Sequence, residues 1–430
     1  MTGKRSLMLN LTISIMLAAI LMFTLAISAL PALAANTDPA YPATEAAITK
    51  ILKTPYGTKL PAMNFKFVVT QTAEDEKAPT AAMPDIGTVT ISFDGKQTLD
   101  PGIDGSKTGT DVWYLESKDI FAGKKWPHAG VYEYNIKETA LTNTASAKNP
   151  TEVYAYSKAE YKVLVYVANI NGQLKITHIG VLMIKNDAGA TIEGTDQVKV
   201  NPTPGGDGGD KYIYSQMIFT NSYVKTNDGT DPEKPDDWTL AISKKVVGDF
   251  SDPSIYFNFK LSVYAPELLN NPPAYNAYIV EYNPAGGKYS VVGTPIAFNS
   301  GVQKSFQLRH NQFLVFLETP VGMKYAVSEE GTAGYIPKAV VTYAGAAGAE
   351  EVGKKGEGLE LPAAGNLVYK DTLYIGDGVN SAAFVNDRGT TTPTGISMDD
   401  LPFIVLIGVG MMALAGFAVF KLRGKAKENA

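Results

Sequence analysis

The chain has 430 residues, of which 45% are hydrophobic and 10% aromatic, and it is rich in glycine, proline and tyrosine. This composition favours many strands joined by turns over long helices, and the length allows two or three domains. The chain has no cysteine, which excludes disulfides, thiolate metal sites and cysteine nucleophiles, and its net charge of −5 argues against nucleic acid or an anionic membrane as a partner.

The N-terminus has the layout of a secretion signal. Lys4 and Arg5 precede an apolar run from Leu7 to about Ile27, and Ala32-Leu33-Ala34 then supplies the small residues that a signal peptidase needs. We therefore predict a signal peptide over residues 1–34. Because the apolar run is longer than a usual signal core, an uncleaved membrane anchor is the alternative.

The body of the chain alternates apolar and polar residues in many short segments, and no long amphipathic helix competes with them. Segments of this kind are FKFVV, TVTISF, GVYEYNIKE, YKVLVYVAN, IYFNFKLSVY, KSFQLRHNQFLVF and KYAVSEE. A polar, proline-bearing stretch over residues 225–238 separates two groups of them. We predict an all-β protein with two β-sandwich domains, 36–225 and 237–390, joined by a linker over 226–236. The Gly-rich stretch 201–210 is predicted to be an exposed loop of the first domain.

Each predicted domain places three polar residues on apolar strand faces. Side chains two residues apart share a face of a strand, and by this count a lysine, a glutamate and an asparagine fall among apolar neighbours in the same chain order twice. They are Lys50, Glu138 and Asn221 in the first domain and Lys244, Glu329 and Asn386 in the second. A shifted register or an edge residue that reaches solvent explains one such lysine equally well. The repetition of the ordered series favours a shared role.

These three residue types suit one reaction in a dry core. Burial disfavours charge, so the lysine is expected as a free amine and the glutamate as an acid. The amine can then attack the asparagine carboxamide while the acid assists the departure of ammonia. Well-oriented groups react as if present at about 10⁵ M or more. We predict an intramolecular isopeptide bond in each domain, with Glu138 and Glu329 as the assisting acids, as a staple in a chain without disulfides.

The C-terminus combines three features. The pentapeptide Thr391-Thr392-Pro393-Thr394-Gly395 is followed by an apolar segment, 401–420, and a tail that contains Lys421, Arg423, Lys425 and Lys427. The apolar segment is long enough to span a bilayer with the basic tail inside. A permanent membrane anchor is one interpretation. The three parts together predict a sortase sorting signal, in which a membrane-bound transpeptidase cleaves after Thr394.

Several segments resemble a known family. The stretches ITKILKTPYGTKLP, GVYEYNIKE and IFTNSY resemble the streptococcal-type pilin isopeptide-linkage domain, and LAISKKVVGDFSD, YAVSEEGTAGY and FVNDRGTTTPTGI are similar to the domain that follows it in two-domain backbone pilins. The resemblance implies two tandem Ig-like (CnaB-type) β-sandwiches with the same Lys, Glu and Asn roles. It also implies that a sortase joins Thr394 to a lysine near the end of the first domain. Lys211 is the candidate, with Lys225 as the second choice.

The expected function is that of an extracellular, wall-anchored major pilin without cofactor or metal. Its expected partners are a sortase, other pilin subunits or cell-wall peptide, and a host surface ligand. A monomeric wall-anchored adhesin with the same domains is the alternative. An enzyme is disfavoured because the three histidines, His128, His178 and His310, form no catalytic motif. The Asp-rich turns do not match an EF-hand calcium loop.

Overall fold

The structure is a computed structural model that describes residues 43–95, 97, 99–139, 152–194, 198–205, 213–361 and 373–389. The predicted signal peptide, the sorting motif 391–395, the apolar segment 401–420 and Lys211 lie outside the described residues. In the part of the chain that is described, no helix is both long and apolar enough to cross a membrane.

The described chain is almost entirely β, which confirms the predicted fold class. The strands are β1 (Thr49–Pro55), β2 (Met63–Glu74), β3 (Gly87–Phe93), β4 (Thr110–Glu116), β5 (Gly130–Thr139), β6 (Val153–Ala155), β7 (Glu160–Ile170), β8 (Gln173–Lys185), β9 (Val198–Val200), β10 (Ile218–Val224), β11 (Thr226–Asp228), β12 (Leu240–Val247), β13 (Phe257–Tyr264), β14 (Tyr275–Asn283), β15 (Lys288–Phe298), β16 (Lys304–Leu308), β17 (Gln312–Phe316), β18 (Glu318–Pro320), β19 (Lys324–Glu329), β20 (Ile336–Tyr343), β21 (Ala346–Val352), β22 (Leu359–Leu361), β23 (Leu373–Tyr374) and β24 (Ser381–Asp387). The helical pieces described are short: α1 (Gly105–Thr108) and a 3₁₀ turn over Pro235–Asp237.

The first sandwich packs a sheet of order β4-β1-β10-β6 against one of order β3-β2-β5-β7-β8-β9. Strand β2 shows why these sequences fold this way: Met63, Phe65 and Phe67 are buried while the residues between them are exposed. The ring of Phe219, on β10, lies 4.9 Å from that of Phe67 in the facing sheet, between ring centroids. The core therefore forms between the two sheets.

The second sandwich repeats this plan with a separate core. One sheet has the order β15-β14-β17-β12-β24-β20-β21, and the other has the order β16-β13-β19-β22, with β23 also paired to β19. In both sandwiches the first and last core strands are direct neighbours and run parallel, β1 beside β10 and β12 beside β24. Every other strand pairing of the described residues is antiparallel. The two ends of each sandwich are therefore held side by side.

The segment between the two cores is ordered by contacts with the second sandwich. Strand β11, which begins the predicted linker, pairs with β18. Lys225, just before it, forms an ion pair with Asp377 at 2.7 Å between Nζ and Oδ2. Gly57 of the first sandwich has a φ of 81°, and a Cβ added there would collide with the hydroxyl of Tyr343 in the second. The exact domain bounds stay a prediction.

Candidate functional site

The first site lies where β1 and β10 run side by side. In their parallel register Lys50 is opposite Phe219, and Leu52 is opposite Asn221. Asn221 therefore lies two residues further along than Lys50, and an offset of two keeps both side chains on the same, inward face. Lys50 and Asn221 are 0% and 2% exposed. The predicted inward orientation of this lysine and this asparagine agrees with the structure.

Glu138 joins this pair from the facing sheet. It lies on β5, opposite Phe67 of β2. One carboxylate oxygen, Oε2, is 2.8 Å from Lys50 Nζ, and the other, Oε1, accepts a hydrogen bond of 2.7 Å from Asn221 Nδ2. The side chains of Lys50 and Glu138 are both fully buried. A single carboxylate therefore bridges the amine and the carboxamide across the sandwich.

The second site repeats this arrangement at the equivalent register. Lys244 is opposite Phe384 and Val246 is opposite Asn386, so the offset between lysine and asparagine is again two. Glu329, on β19 of the facing sheet, lies 2.7 Å from Lys244 Nζ through Oε2. Its other oxygen accepts a hydrogen bond from Asn386 Nδ2. The side chains of the ion pair are 0% and 1% exposed.

In both sites burial changes the pKa of the lysine and of the glutamate so that their neutral forms are favoured. Loss of solvent lowers the pKa of Lys50 and of Lys244 to about 8, although the neighbouring glutamates act in the opposite direction. Burial also raises the pKa of Glu138 and of Glu329. These shifts favour the neutral amine and the neutral acid relative to the same groups in water. The direction of these shifts is the one predicted from burial, and the roles of the residues stay a prediction.

The amide of Asn221 has a defined orientation. Its Oδ1 accepts a hydrogen bond of 2.7 Å from the backbone N–H of Ser157, and its Nδ2 donates to Glu138. Since a backbone N–H only donates and a carboxylate accepts, these two partners fix which amide atom is oxygen and which is nitrogen. The carbonyl oxygen is thus polarised by Ser157, and the nitrogen that would leave faces the acid.

The amide of Asn386 differs from that of Asn221 on its oxygen side. Glu329 accepts from Nδ2, whereas the buried Oδ1 has no hydrogen-bond donor among the residues that the structure describes. Two aromatic rings lie beside the amine of this site: Lys244 Nζ is 4.0 Å from the ring centroid of Phe257 and 5.8 Å from that of Phe259. In the first site Lys50 Nζ lies 4.8 Å from the ring centroid of Phe65.

Both sites have the groups that amide exchange requires. A lysine amine and an asparagine carboxamide are held by one acid in a water-poor core, which is the arrangement of nucleophile, electrophile and proton shuttle. In the described residues no group of three or more His, Cys, Asp or Glu side chains is arranged to hold a metal ion. The chemistry that these side chains can perform needs none.

Other predicted residues lie elsewhere or outside the described chain. Lys225 has its ammonium in the ion pair with Asp377 between the two sandwiches. Lys211 and the sorting residues Thr391, Thr392, Pro393, Thr394 and Gly395 lie outside the described residues. Ser157 could not be predicted from the sequence, because a backbone donor is not specified by residue type. The sequence SKAE between β6 and β7 indicates a polar loop, which is too common a feature to identify a hydrogen-bond donor.

The fold and the two sites define an all-β protein of two sandwiches, each with a buried Lys–Glu–Asn triad beside its parallel strand pair. Residues 46–224 match the model of the Spy0128-like isopeptide containing domain, and residues 238–358 match a domain family of unknown function, DUF7601. The resemblance of the first domain to pilin isopeptide-linkage domains is thereby confirmed.

Individual relatives differ in how much of this chain they cover. A pilin of Streptococcus pyogenes serotype M1 is 27% identical over 187 residues, which is 43% of this chain and 48% of that protein. The alignment thus spans about half of the relative's length. A crystal structure of the major pilin from Streptococcus pyogenes is 17% identical, with a TM-score of 0.31, over 81% of this chain and all of that one. A pilus-presented adhesin is 14% identical, with a TM-score of 0.21, over 54% of this chain and 36% of that one. The first two of these proteins are described as pilins and the third as an adhesin presented by a pilus.

Proposed function

We propose that the chain is a structural surface protein, a major pilin subunit whose two domains each form a Lys–Asn isopeptide bond. Lys50 joins Asn221 with the assistance of Glu138, and Lys244 joins Asn386 with the assistance of Glu329. A sortase then links Thr394 to a lysine of the next subunit, for which Lys211 is the candidate. The expected location is a pilus or the cell wall, after transient membrane anchoring.

One observation carries this proposal: the same buried triad occurs twice, at the same strand register, in two separate cores. A buried ion pair is by itself weak support for any role, because desolvation offsets much of its attraction. Here a carboxamide shares each carboxylate, and the lysine and asparagine lie on the first and last strands of each sandwich. A bond at that position connects the two ends of a domain directly, so it would carry tension applied along the chain.

The bond requires a balanced exchange of one amide for another. The neutral Lys50 amine attacks Cγ of Asn221, a new C–N bond forms, and the bond from Cγ to Nδ2 breaks. The proton that the amine loses passes through Glu138 to the departing nitrogen, which leaves as ammonia. The same description applies to the residues of the second site. No oxidant or cofactor takes part.

Intact-mass measurement of the purified chain tests this exchange. We expect the wild-type mass to be lower than the sequence mass by two molecules of ammonia, one for each domain. Glu138→Ala should restore one of them, and cross-linked peptides should show that the Lys244–Asn386 bond remains; Glu329→Ala should do the reverse. The partly exposed acids Glu133 and Glu330, on or beside the same strands, supply the matched controls Glu133→Ala and Glu330→Ala. A wild-type mass equal to the sequence mass contradicts the proposal.

A monomeric wall-anchored adhesin with the same bonded domains is the second candidate, because a covalent tie between the first and last strands would strengthen a single stalk as well as a shaft subunit. Denaturing electrophoresis of wall extracts separates the two. A shaft subunit should give a ladder of high-mass bands that Lys211→Ala abolishes and Lys225→Ala preserves. A single band of monomer bound to wall fragments would favour the adhesin.

A further inference from the structure

We propose that the backbone N–H of Ser157 is the oxyanion donor for bond formation in the first domain, and that Asp187 is the positioning residue that holds this donor in place. The inference rests on the proposed function, since it assigns groups to the same reaction. It concerns the carbonyl side of Asn221, which the Lys–Glu–Asn triad leaves without a role.

The position of the donor fits the atom that gains charge. When the Lys50 amine adds to Cγ of Asn221, the electron pair of the C=O bond moves to Oδ1, which becomes an oxyanion until the bond to Nδ2 breaks. Effective donors lie about 2.7–3.1 Å from such an oxygen. The N–H of Ser157 already lies 2.7 Å from Oδ1. Ser157 is buried, so water does not compete strongly for this oxygen.

Asp187 connects the Ser157 loop to the strand that carries Asn221. Its carboxylate accepts hydrogen bonds from the hydroxyl of Ser157 and from the backbone N–H of Thr220, and its backbone carbonyl accepts from Lys158 N at 3.0 Å. Thr220 directly precedes Asn221 on β10. One exposed residue in the turn after β8 thus fixes the β6–β7 loop against β10, and with it the distance between Ser157 N and Asn221 Oδ1.

The second site provides a comparison for the Ser157 donor. Among the described residues nothing donates to Asn386 Oδ1, although that atom is buried. The two triads otherwise have equivalent strand positions and closely similar ion-pair distances. The second site is therefore an internal reference within one molecule: the Lys50–Asn221 bond should form about 100-fold faster than the Lys244–Asn386 bond if the donor acts as oxyanion donors do elsewhere.

The test follows both bonds in the full chain. Unreacted protein, recovered in denaturant, is refolded by dilution, and cross-linked peptides from each domain are quantified over time. Asp187→Ala and Ser157→Ala should each slow Lys50–Asn221 formation about 10-fold and leave Lys244–Asn386 formation unchanged. The double variant should be slowed by less than the product of the two single effects, because both changes remove the Ser157–Asp187 hydrogen bond. Ser157→Pro, which removes the N–H itself, should slow the first bond about 100-fold.

Two further variants separate positioning from a general loss of structure. The carboxylate of Asp104, at an exposed position of the same domain, accepts hydrogen bonds from the backbone N–H and the hydroxyl of Ser106. Asp104→Ala is therefore a matched control that should leave both rates unchanged. Asp187→Asn keeps an acceptor for Ser157 and Thr220 but removes the charge. It should restore the rate at neutral pH and move the alkaline fall of the rate to lower pH, because burial and the charge of Asp187 both raise the pKa of Glu138, the acid that must keep its proton for the reaction.

The results distinguish this inference from the proposed function. If both bonds form and Asp187→Ala leaves the rate of the first unchanged, the positioning role is wrong while the function stands. The same holds if the wild-type Lys244–Asn386 bond forms as fast as Lys50–Asn221. If neither bond forms in the wild-type chain, the proposed function itself fails.

Discussion

The two triads share their strand geometry but differ in what surrounds them. In both, a lysine and an asparagine sit two residues apart on a parallel strand pair, and an acid reaches them from the facing sheet. The first triad has polar groups nearby, the N–H of Ser157 and the charge of Asp187. The second is enclosed by Phe257 and Phe259. The residues that meet are therefore determined by strand register, whereas their electrostatic environment is determined by loops and by neighbouring core residues.

This difference matters most when the acid is removed. Breaking a buried ion pair costs about 3–5 kcal/mol, since it leaves one buried charge without a partner. Lys50 would still be close to the negative charge of Asp187, whereas among the described residues Glu329 alone raises the pKa of Lys244. The second domain is therefore expected to depend more strongly on its acid.

The largest predicted effect is thus on stability. Glu138→Ala and Glu329→Ala should each lower the free energy of unfolding of their own domain by about 3 kcal/mol or more, through the unpaired lysine and through loss of a constraint worth about 2–4 kcal/mol if it acts as a disulfide does. The loss should be greater for Glu329→Ala. Hydrogen exchange of the two domains in denaturant, followed by mass spectrometry on the intact chain, measures each loss separately.

Control variants show whether the effect belongs to the triads. Glu133→Ala and Glu330→Ala remove surface ion pairs, whose contribution is about 0–1 kcal/mol, so each should change the free energy of unfolding by no more than that. An equal or greater loss for Glu138→Ala than for Glu329→Ala would show that Asp187 does not compensate the unpaired Lys50.

Period-two alternation made the triads predictable from the sequence. A polar residue such as Lys244, between Ile242 and Val246 on one face, is conspicuous because an inward side chain is expected to be apolar. The repeated order of lysine, glutamate and asparagine then indicated that the three meet. Alternation specifies the face of each strand but not its neighbours, so the parallel pairing of β12 with β24 came from the structure.

Contacts made by loops and by the backbone were beyond such reasoning. Ser157 acts through its N–H, a group that nearly every residue has, and Asp187 is one acid among many in polar turns. The pairing of β11 with β18 was likewise missed, because the segment before Trp238 has the composition of a linker. Composition predicts solvent exposure of a segment but not whether its backbone finds a partner strand.

The smallest predicted effect is a pH response of opposite sign in the two domains. His128 lies 3.0 Å from the carbonyl oxygen of Ala129 through Nδ1 and 2.9 Å from a carboxylate oxygen of Glu74 through Nε2. The protonated ring suits both neighbours, because it donates to the carbonyl and forms an ion pair with the carboxylate. The Ala129 carbonyl, together with Glu74 and Asp75, raises the pKa of His128. His310 instead accepts the N–H of Val246 through Nδ1, which requires a neutral nitrogen.

The sign of each contribution follows from these pKa shifts. A raised histidine pKa stabilises the first domain fully below about pH 6.5, and this stabilisation is lost as the pH rises through the higher folded-state value. Burial, followed by the charge of Lys245, lowers the pKa of His310, so its contribution is present above about pH 6.5 and is lost as the pH falls. Acidification from about pH 7.5 to about pH 5.5 should therefore slow hydrogen exchange in the first domain and accelerate it in the second, relative to the matched variants His128→Gln and His310→Gln. If both domains shift in the same direction relative to their variants, at least one of the two assignments is wrong, because His128 is assigned a protonated ring and His310 an unprotonated Nδ1.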